Sequence, residues 1–388
     1  MKLLFCGDVV IDSPKIEISN KLVKLFNSLD YRICNFEGPI VSSNAKKIKK
    51  SGPHVCNDLC SIDFLKSLNF NYAALANNHI LDYGKESLEY TLNKLEQNNI
   101  KTFGAGLTFN DAYNPLIIEN ANEKICIINA CQAEFGVLKE DKSKSNHTGY
   151  AWINSPLIKE LLKENIKTCN KVILFIHAGM ENQIIPLPEW KQVYHEFADI
   201  INGKGIIVAT HPHIVQGYEI YNETPIYYSL GNFAFYKEEQ NNNLEWSRSL
   251  LLTYDTQKNE VNTIPVSMKN CVIDFDKSDL FEKDIKTRCD IILNEQKLLS
   301  YADKIAEQSW NDFYKSYYEI INNSKKLNDC SLNDLIHEFF SRIKNKISGK
   351  NNNKINHIDE IMLLHNIQIE SHRWCVERYL YNHYQKED

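Results

Sequence analysis

The chain has 388 residues, more than one compact core usually organises, so two or three domains, or one large domain with an appendage, are expected. Hydrophobic residues at 43% and charged residues at 24% exclude wholesale disorder. The net charge of -6 excludes a global basic field, which argues against nucleic acid or anionic lipid as the partner.

In chain order, the first segment is Met1-Lys2-Leu3-Leu4-Phe5-Cys6-Gly7-Asp8, whose apolar run stops at Asp8. A secretory core needs roughly 7–15 apolar residues, so this segment reads as a first strand and a cytoplasmic location is expected. No later stretch approaches the ~20 apolar residues of a membrane span. The runs 2–6, 31–36, 72–76, 124–129, 171–176, 205–209 and 225–230 are short, apolar and bounded by polar or Gly residues, so they predict buried strands. Between them, 61–68, 85–97, 155–168 and 188–201 show helical spacing, with Ser155-Pro156 a favourable start. Strands alternating with helices predict an α/β layered domain over 1–270, closed by strands at 249–254 and 261–266. After about 270 glycine nearly vanishes. Helical patterns at roughly 279–322, 331–347 and 356–384 predict an α-helical C-terminal region over 271–388.

Eleven cysteines raise the question of disulfides. Cys6, Cys34, Cys126 and Cys131 lie in or beside strand runs, where a thiol is a small core residue. Cys56 and Cys60 resemble half a zinc site, but no second pair completes it, and reduced thiols are expected.

The polar residues fall where strands end. Gly7-Asp8 follows the first, Asn35-Phe36-Glu37-Gly38-Pro39 ends the second, and Asn77-Asn78-His79 follows the third. His177 follows the run at 171–176, and His211-Pro212-His213 follows 205–209. Ligands bind beyond the carboxyl ends of strands in α/β folds, so these runs converge on one edge. A lone His there is usually a hydrogen-bonded core residue, and a lone Asp a turn former. Asp, Glu, Asn and several His together form a donor set for a first-row divalent metal.

Six motifs in order carry a family resemblance: Gly7-Asp8, Asn35-Phe36-Glu37-Gly38, the run from Asn77 to Gly84, His177-Ala178-Gly179-Met180-Glu181, the run from His211 to Gln216, and Tyr228-Ser229-Leu230-Gly231-Asn232-Phe233. The sequence over about 1–236 resembles the CapA family, named for poly-γ-glutamate capsule biosynthesis, within the calcineurin-like metallophosphoesterase superfamily. The resemblance implies a four-layer α-β-β-α sandwich holding one or two divalent ions (Mn, Fe or Zn) at the strand ends. It implies Glu37 as a bridging carboxylate, Asp8 and His213 on the first ion, and Asn78, His177 and His211 on the second. His79 stands where the superfamily places a histidine that contacts substrate and protonates the leaving oxygen. The superfamily's usual first motif is Asp-x-His, and here its third position is Val10, which leaves the first ion a ligand short.

Around this set, Asp82 would orient His79, the plainer reading being a helix N-terminal acid. Lys50, Glu181 and Asn232 are substrate-binding candidates. Lys50 belongs to a basic loop with Lys46, Lys47 and Lys49, a pattern that is as often a solvated face. His357, His365, His372 and His383 lack a facing carboxylate cluster and are expected to be surface or core residues. The functional expectation is a metal-dependent hydrolase acting on a phosphoester or related bond in a capsule or cell-surface polymer, or its precursor. The alternative is a non-catalytic polyanion-binding subunit of a capsule or poly-γ-glutamate assembly system. Either way the partner is an anionic small molecule or polymer, and the C-terminal helices offer a surface for oligomers.

Overall fold

Along the strand Lys2–Val10, side chains sort between two cores with the period of a strand buried on both faces. Leu3 and Phe5 enter one cluster, and Leu4 and Cys6 enter another. The computed structural model describes residues 1–13, 16–42, 44–139, 147–240, 243–315 and 353–384. Contacts divide the chain into two units, Met1–Lys49 with Pro53–Leu299, and Lys50–Gly52 with Ser300–Asp388.

In the first unit, Lys2–Val10 runs parallel to Tyr31–Phe36 and Asn232–Phe235 and antiparallel to Arg248–Asp255. Tyr72–Ala74 and Lys101–Phe103 extend this sheet on one side; Glu260–Lys269, Val272–Phe275 and Glu17–Ile18 extend it on the other. A second sheet is ordered Tyr218–Tyr221, Thr224–Tyr227, Gly205–Thr210, Lys171–His177, Lys124–Cys131, Leu116–Glu119. Its central strands are parallel and fully buried, which is why they read as continuous Ile, Val, Leu and Phe.

The sheets pack face to face. Leu3, Phe5, Ile33 and Phe103 of the first meet Ile127, Ile173, Phe175 and Val208 of the second, with Phe5 edge-on to Phe175 at 5.6 Å. The outer face of the first sheet is covered by Asn20–Asn27, Cys60–Ser67 and Gly84–Gln97, through Leu22, Phe26, Leu65, Leu88 and Leu95. Pro156–Thr168 and Pro188–Ile201 cover the second sheet. Ser155 Oγ accepts from Leu157 N (3.2 Å) to cap the former, a bond typically worth ~1 kcal/mol. The architecture is the expected four-layer α-β-β-α sandwich.

Several expected elements differ in their bounds, among them the strands expected at 2–6 and 124–129, which continue to Val10 and Cys131. The strand expected at 225–230 ends at Tyr227, because Ser229–Gly231 turns, with Gly231 at φ +71°, and carries the chain into Asn232–Phe235 of the other sheet. The helix expected over 279–322 stops at Ile292 and restarts at Glu295, where Asn294 Oδ1 accepts from Lys297 N (3.0 Å); its last stretch, 316–322, lies outside the described residues. The pattern at 356–384 is two helices, Asn353–Gln368 and Glu370–Tyr384. The pattern at 331–347 lies outside the described residues. Val272–Phe275 and Asp279–Ile292, which follow the composition change near 270, belong to the first unit, and Phe281 and Ile285 enter its inter-sheet core.

Within the second unit Trp310 stacks on Tyr379 (4.8 Å), and Arg378 and Asn382 both reach Asp303 (3.3 and 2.9 Å). All ten described cysteines are free thiols. Among the described residues, no helix is long and apolar enough to cross a membrane.

Candidate metal centre

A slip in strand register begins the site. The pairing of Lys2–Val10 with its two parallel neighbours shifts around Gly7 and Asp8, a bulge of the kind that re-aims a side chain. Only glycine fits before it: a Cβ on Gly7 would lie 1.8 Å from Gly231 O. Asp8 is thereby held in the interior. It accepts from Asn35 Nδ2 (2.8 Å) at Oδ1, and its Oδ2 lies 3.3 Å from His213 Nδ1.

Two buried asparagines tie the neighbouring loops together. Asn77 Oδ1 accepts from Gly38 N (3.2 Å) and Nδ2 donates to Phe36 O (2.9 Å), fixing the Glu37 loop to the Asn78–His79 turn. Asn57 Nδ2 donates to Glu37 O (2.9 Å) while its Oδ1 accepts from Ile11 N (2.7 Å). Glu37 is thus held by its backbone. Its carboxylate is fully buried, and among the described residues neither oxygen has a hydrogen-bond partner. His79 Nε2 and His213 Nε2 stand 3.7 and 3.9 Å from Glu37 Oε1.

Across the cleft, His177 Nε2 lies 3.1 Å from both Asn78 Oδ1 and His211 Nδ1. These three atoms come from the ends of three strands and face one another. His211 and His213 both sit at positive φ, +100° and +60°, a strain of about 1–3 kcal/mol each that the surrounding packing sustains. His79 Nδ1 is 2.6 Å from Asp82 Oδ2, which also accepts from Val55 N (2.8 Å).

Charge is distributed unevenly. Burial pushes the Glu37 carboxyl well above the usual carboxylate range; His213 opposes this and Asp8 adds to it. Burial, with neighbouring imidazoles, holds His177 well below its ordinary value. Burial also lowers His211, to about 4. Burial pulls His213 the same way, but Glu37 and Asp8 outweigh it and push His213 up to about 9.

The donor set fits a divalent cation. An unpartnered buried carboxylate is costly by several kcal/mol, and a cation at Glu37 removes that cost. One ligand atom each from Asp8, Glu37 and His177 lies within 4.8 Å of the others, and oxygen and imidazole donors suit first-row metals.

A family description of bacterial capsule synthesis proteins, PGA_cap, matches residues 2–237, which hold this entire cluster. The chain belongs to this family. Two relatives are the PGA biosynthesis protein CapA of Bacillus subtilis (strain 168), 29% identical over 246 residues, and the capsule biosynthesis protein CapA of Bacillus anthracis, 28% identical over 249. The matches cover 63% and 61% of this chain but only 62% and 60% of those proteins, so the PGA_cap chain aligns with about three fifths of their length. A putative 5'-nucleotidase from Staphylococcus aureus aligns with a TM-score of 0.45 at 13% identity, over 75% of this chain and 59% of that one. A hypothetical protein from Thermus thermophilus aligns with a TM-score of 0.40 at 14% identity, over 68% and 98%.

Asp8, Glu37, Asn78, His79, Asp82, His177, His211 and His213 are brought into this one PGA_cap cluster. Asn232 reaches it indirectly: its Oδ1 lies 3.0 Å from His213 Nδ1 and its Nδ2 donates to Trp246 O (3.3 Å). Glu181 is exposed, yet its charge raises both His211 and His213. Lys50 is not among the residues gathered here; Lys50–Gly52 groups with the second unit.

Residues that sequence reasoning missed complete the walls. Gln132 and Glu134 follow the strand Lys124–Cys131, the same strand-end position that marked Asp8, Glu37, Asn78, His177 and His211. Lys237 Nζ lies over the rings of Phe235 (4.7 Å) and Trp246 (4.9 Å), and both rings touch His213. No local pattern announces Trp246. Val10, 5% exposed, packs with Val55, Phe235 and Trp246, so the position of the absent histidine is an apolar pocket.

Proposed function

We propose that this capsule-synthesis family member is a metal-dependent hydrolase acting on a phosphoester or related bond in an anionic capsule or cell-surface polymer, or its precursor. The observation that carries the reading is the fully buried Glu37 carboxylate, unpartnered among the described residues and faced by two imidazoles. In this reading Glu37 would be shared by two divalent ions (Mn, Fe or Zn), with Asp8 and His213 holding the first and Asn78, His177 and His211 the second. Divalent ions held there supply Lewis-acid stabilisation of a phosphoryl oxygen.

The chain's own residues supply the proton. Asp82 binds His79 at Nδ1 (2.6 Å) and leaves Nε2 facing the cleft beside Glu37. With Nδ1 engaged by the carboxylate, Nε2 is the ring atom placed to hand a proton to a leaving oxygen. Lys237, which lowers the Glu37 carboxyl, and Glu181, which raises it, set the charge of the entrance for an anionic substrate. A cytoplasmic location belongs to the same reading.

One observation favours a second reading. Val10 leaves the first ion without an imidazole that two-ion catalysis normally uses, as suits a non-catalytic polyanion-binding subunit of capsule assembly. A hydrolysis screen on generic phosphoesters, with and without manganese, separates the two. Metal-dependent turnover supports the hydrolase; polyanion binding without turnover supports the subunit and overturns the hydrolase.

A further inference from the structure

A neutral imidazole carries one ring hydrogen, and a nitrogen that holds a cation must be bare. For His177 Nε2 and His211 Nδ1 both to be ligands, His177 must carry its hydrogen on Nδ1 and His211 on Nε2. The first has an acceptor in reach: Thr210 Oγ1 lies 2.9 Å from His177 Nδ1 and directs its own hydrogen at Ile176 O (3.4 Å), so it can accept from the ring, while the Asn35 Nδ2 donor, 3.1 Å from the same nitrogen, also donates to Asp8 Oδ1 (2.8 Å). The second is not met as the side chains stand, because the group nearest His211 Nε2 is the Gln132 Nε2 donor at 2.9 Å.

Gln132 is braced in this orientation. Its Oε1 accepts from Gly179 N (3.1 Å) and its Nε2 donates to Glu134 Oε1 (2.7 Å), and turning the amide over would remove both bonds. A carboxylate oxygen, Glu134 Oε1, lies 3.8 Å from His211 Nε2, about 0.6 Å beyond hydrogen-bond range. The other oxygen, Oε2, accepts from Asn78 Nδ2 (3.0 Å), which turns Asn78 Oδ1 toward His177. Glu134 itself is buried, and its N–H donates to Tyr150 Oη (2.8 Å).

We infer that Glu134 is the positioning residue of the Asn78–His177–His211 face, fixing the Asn78 amide and taking the Nε2 hydrogen of His211 when Nδ1 holds a divalent cation. This rests on the metal reading above. A carboxylate behind a ligating imidazole fixes its tautomer and raises its basicity, and removing one typically lowers metal affinity about 10–100-fold. Gln132 holds Glu134 in place through its Nε2 (2.7 Å), and that same amide must draw back from His211 Nε2 for the ring hydrogen to reach the carboxylate.

The test uses the full metal-stripped chain and Co(II) as the probe. Glu134→Gln, which keeps the size and loses the charge, should weaken Co(II) binding about 10–100-fold and alter the visible d–d bands of the bound ion. In the Zn(II)-loaded wild type, ¹⁵N-histidine NMR should place the His211 hydrogen on Nε2. Wild-type affinity and spectrum in Glu134→Gln would overturn the assignment alone. A His211 hydrogen on Nδ1 in the loaded wild type would overturn it too, and needs no variant to fold. Failure of the wild type to bind Co(II) would overturn the metal reading itself and this assignment with it.

Discussion

His211 and His213 are two residues apart, both buried and both at positive φ, yet one is set neutral and the other cationic. Burial and a neighbouring imidazole hold His211 near 4, while Glu37 and Asp8 lift His213 to about 9 against the same burial. The two faces of the cleft differ accordingly. The Asn78–His177–His211 face offers imidazoles that are neutral at neutral pH, from which a cation need displace no proton. The Asp8–Glu37–His213 face holds protons that a cation must displace. Depth alone does not decide the state of a buried histidine; the nearest carboxylates do.

The largest effect should come from removing donors. His177→Ala, His211→Ala and Glu37→Ala should each strip metal from the purified protein and abolish hydrolysis while circular dichroism stays native, since these side chains end strands and do not fill the core. Normal metal content, by elemental analysis, in two of the three would remove the basis for comparing the faces at all. His79→Ala should keep its metal and lose about 10²–10⁴-fold in turnover on poor leaving groups, with a smaller loss on activated ones. An equal loss across leaving groups would reduce His79 to a positioning role.

The contrast in charge predicts a contrast in pH dependence. His213, raised in the fold from 6.5 to about 9, stabilises the metal-free protein fully below pH 6.5, and that contribution is lost as pH rises through about 9. Cation binding at its face releases this proton, so affinity there should rise by up to about tenfold per pH unit between 6.5 and 9. His211, lowered to about 4, is already neutral at pH 7, so a cation at its face displaces no proton from that imidazole and affinity there should rise less steeply than at the His213 face, the shared Glu37 acting on both. Calorimetric titrations of the metal-stripped protein at four pH values measure both slopes. Equal slopes would erase the distinction.

The layers of the fold and most of the cleft were legible in the sequence because their signals are local. Lys171–His177 and Pro188–Ile201 have strong periods, and Asp8, Glu37, Asn78, His177 and His211 stand at strand ends. Glu134 escaped because the strand expected at 124–129 continues to Cys131, which hid the fact that Gln132 and Glu134 also follow a strand end. The helix Asn20–Asn27 is only two turns long, and its burial of Leu22 and Phe26 depends on the sheet beneath it. Lys237, Trp246 and the pocket around Val10 are joined by tertiary contact alone. The interruption at Leu293 and Asn294 breaks a helical pattern whose apolar spacing carries on across it, and only the Asn294 cap marks it.

The smallest effect, and the sharpest probe of the weaker face, is Val10→His. Val10 stands two residues after Asp8, in an apolar cluster with Val55, Phe235 and Trp246, and Trp246 lies 4.9 Å from the His213 ring. An imidazole there adds volume and a polar edge to a packed pocket, which should cost about 1–3 kcal/mol in the metal-free protein. It also gives the first face the donor it lacks beside Asp8, Glu37 and His213. Melting of the metal-free variant should therefore fall by several degrees and recover when manganese is added, with affinity at the first face rising about tenfold, the low end of what a supporting group contributes. The wild type should bind two ions unequally, the His177–His211 face filling first and the His213 face only with added metal. Two equal affinities in the wild type, or a Val10→His variant that is destabilised and gains no affinity, would mean that the apolar pocket is not the cause of the asymmetry.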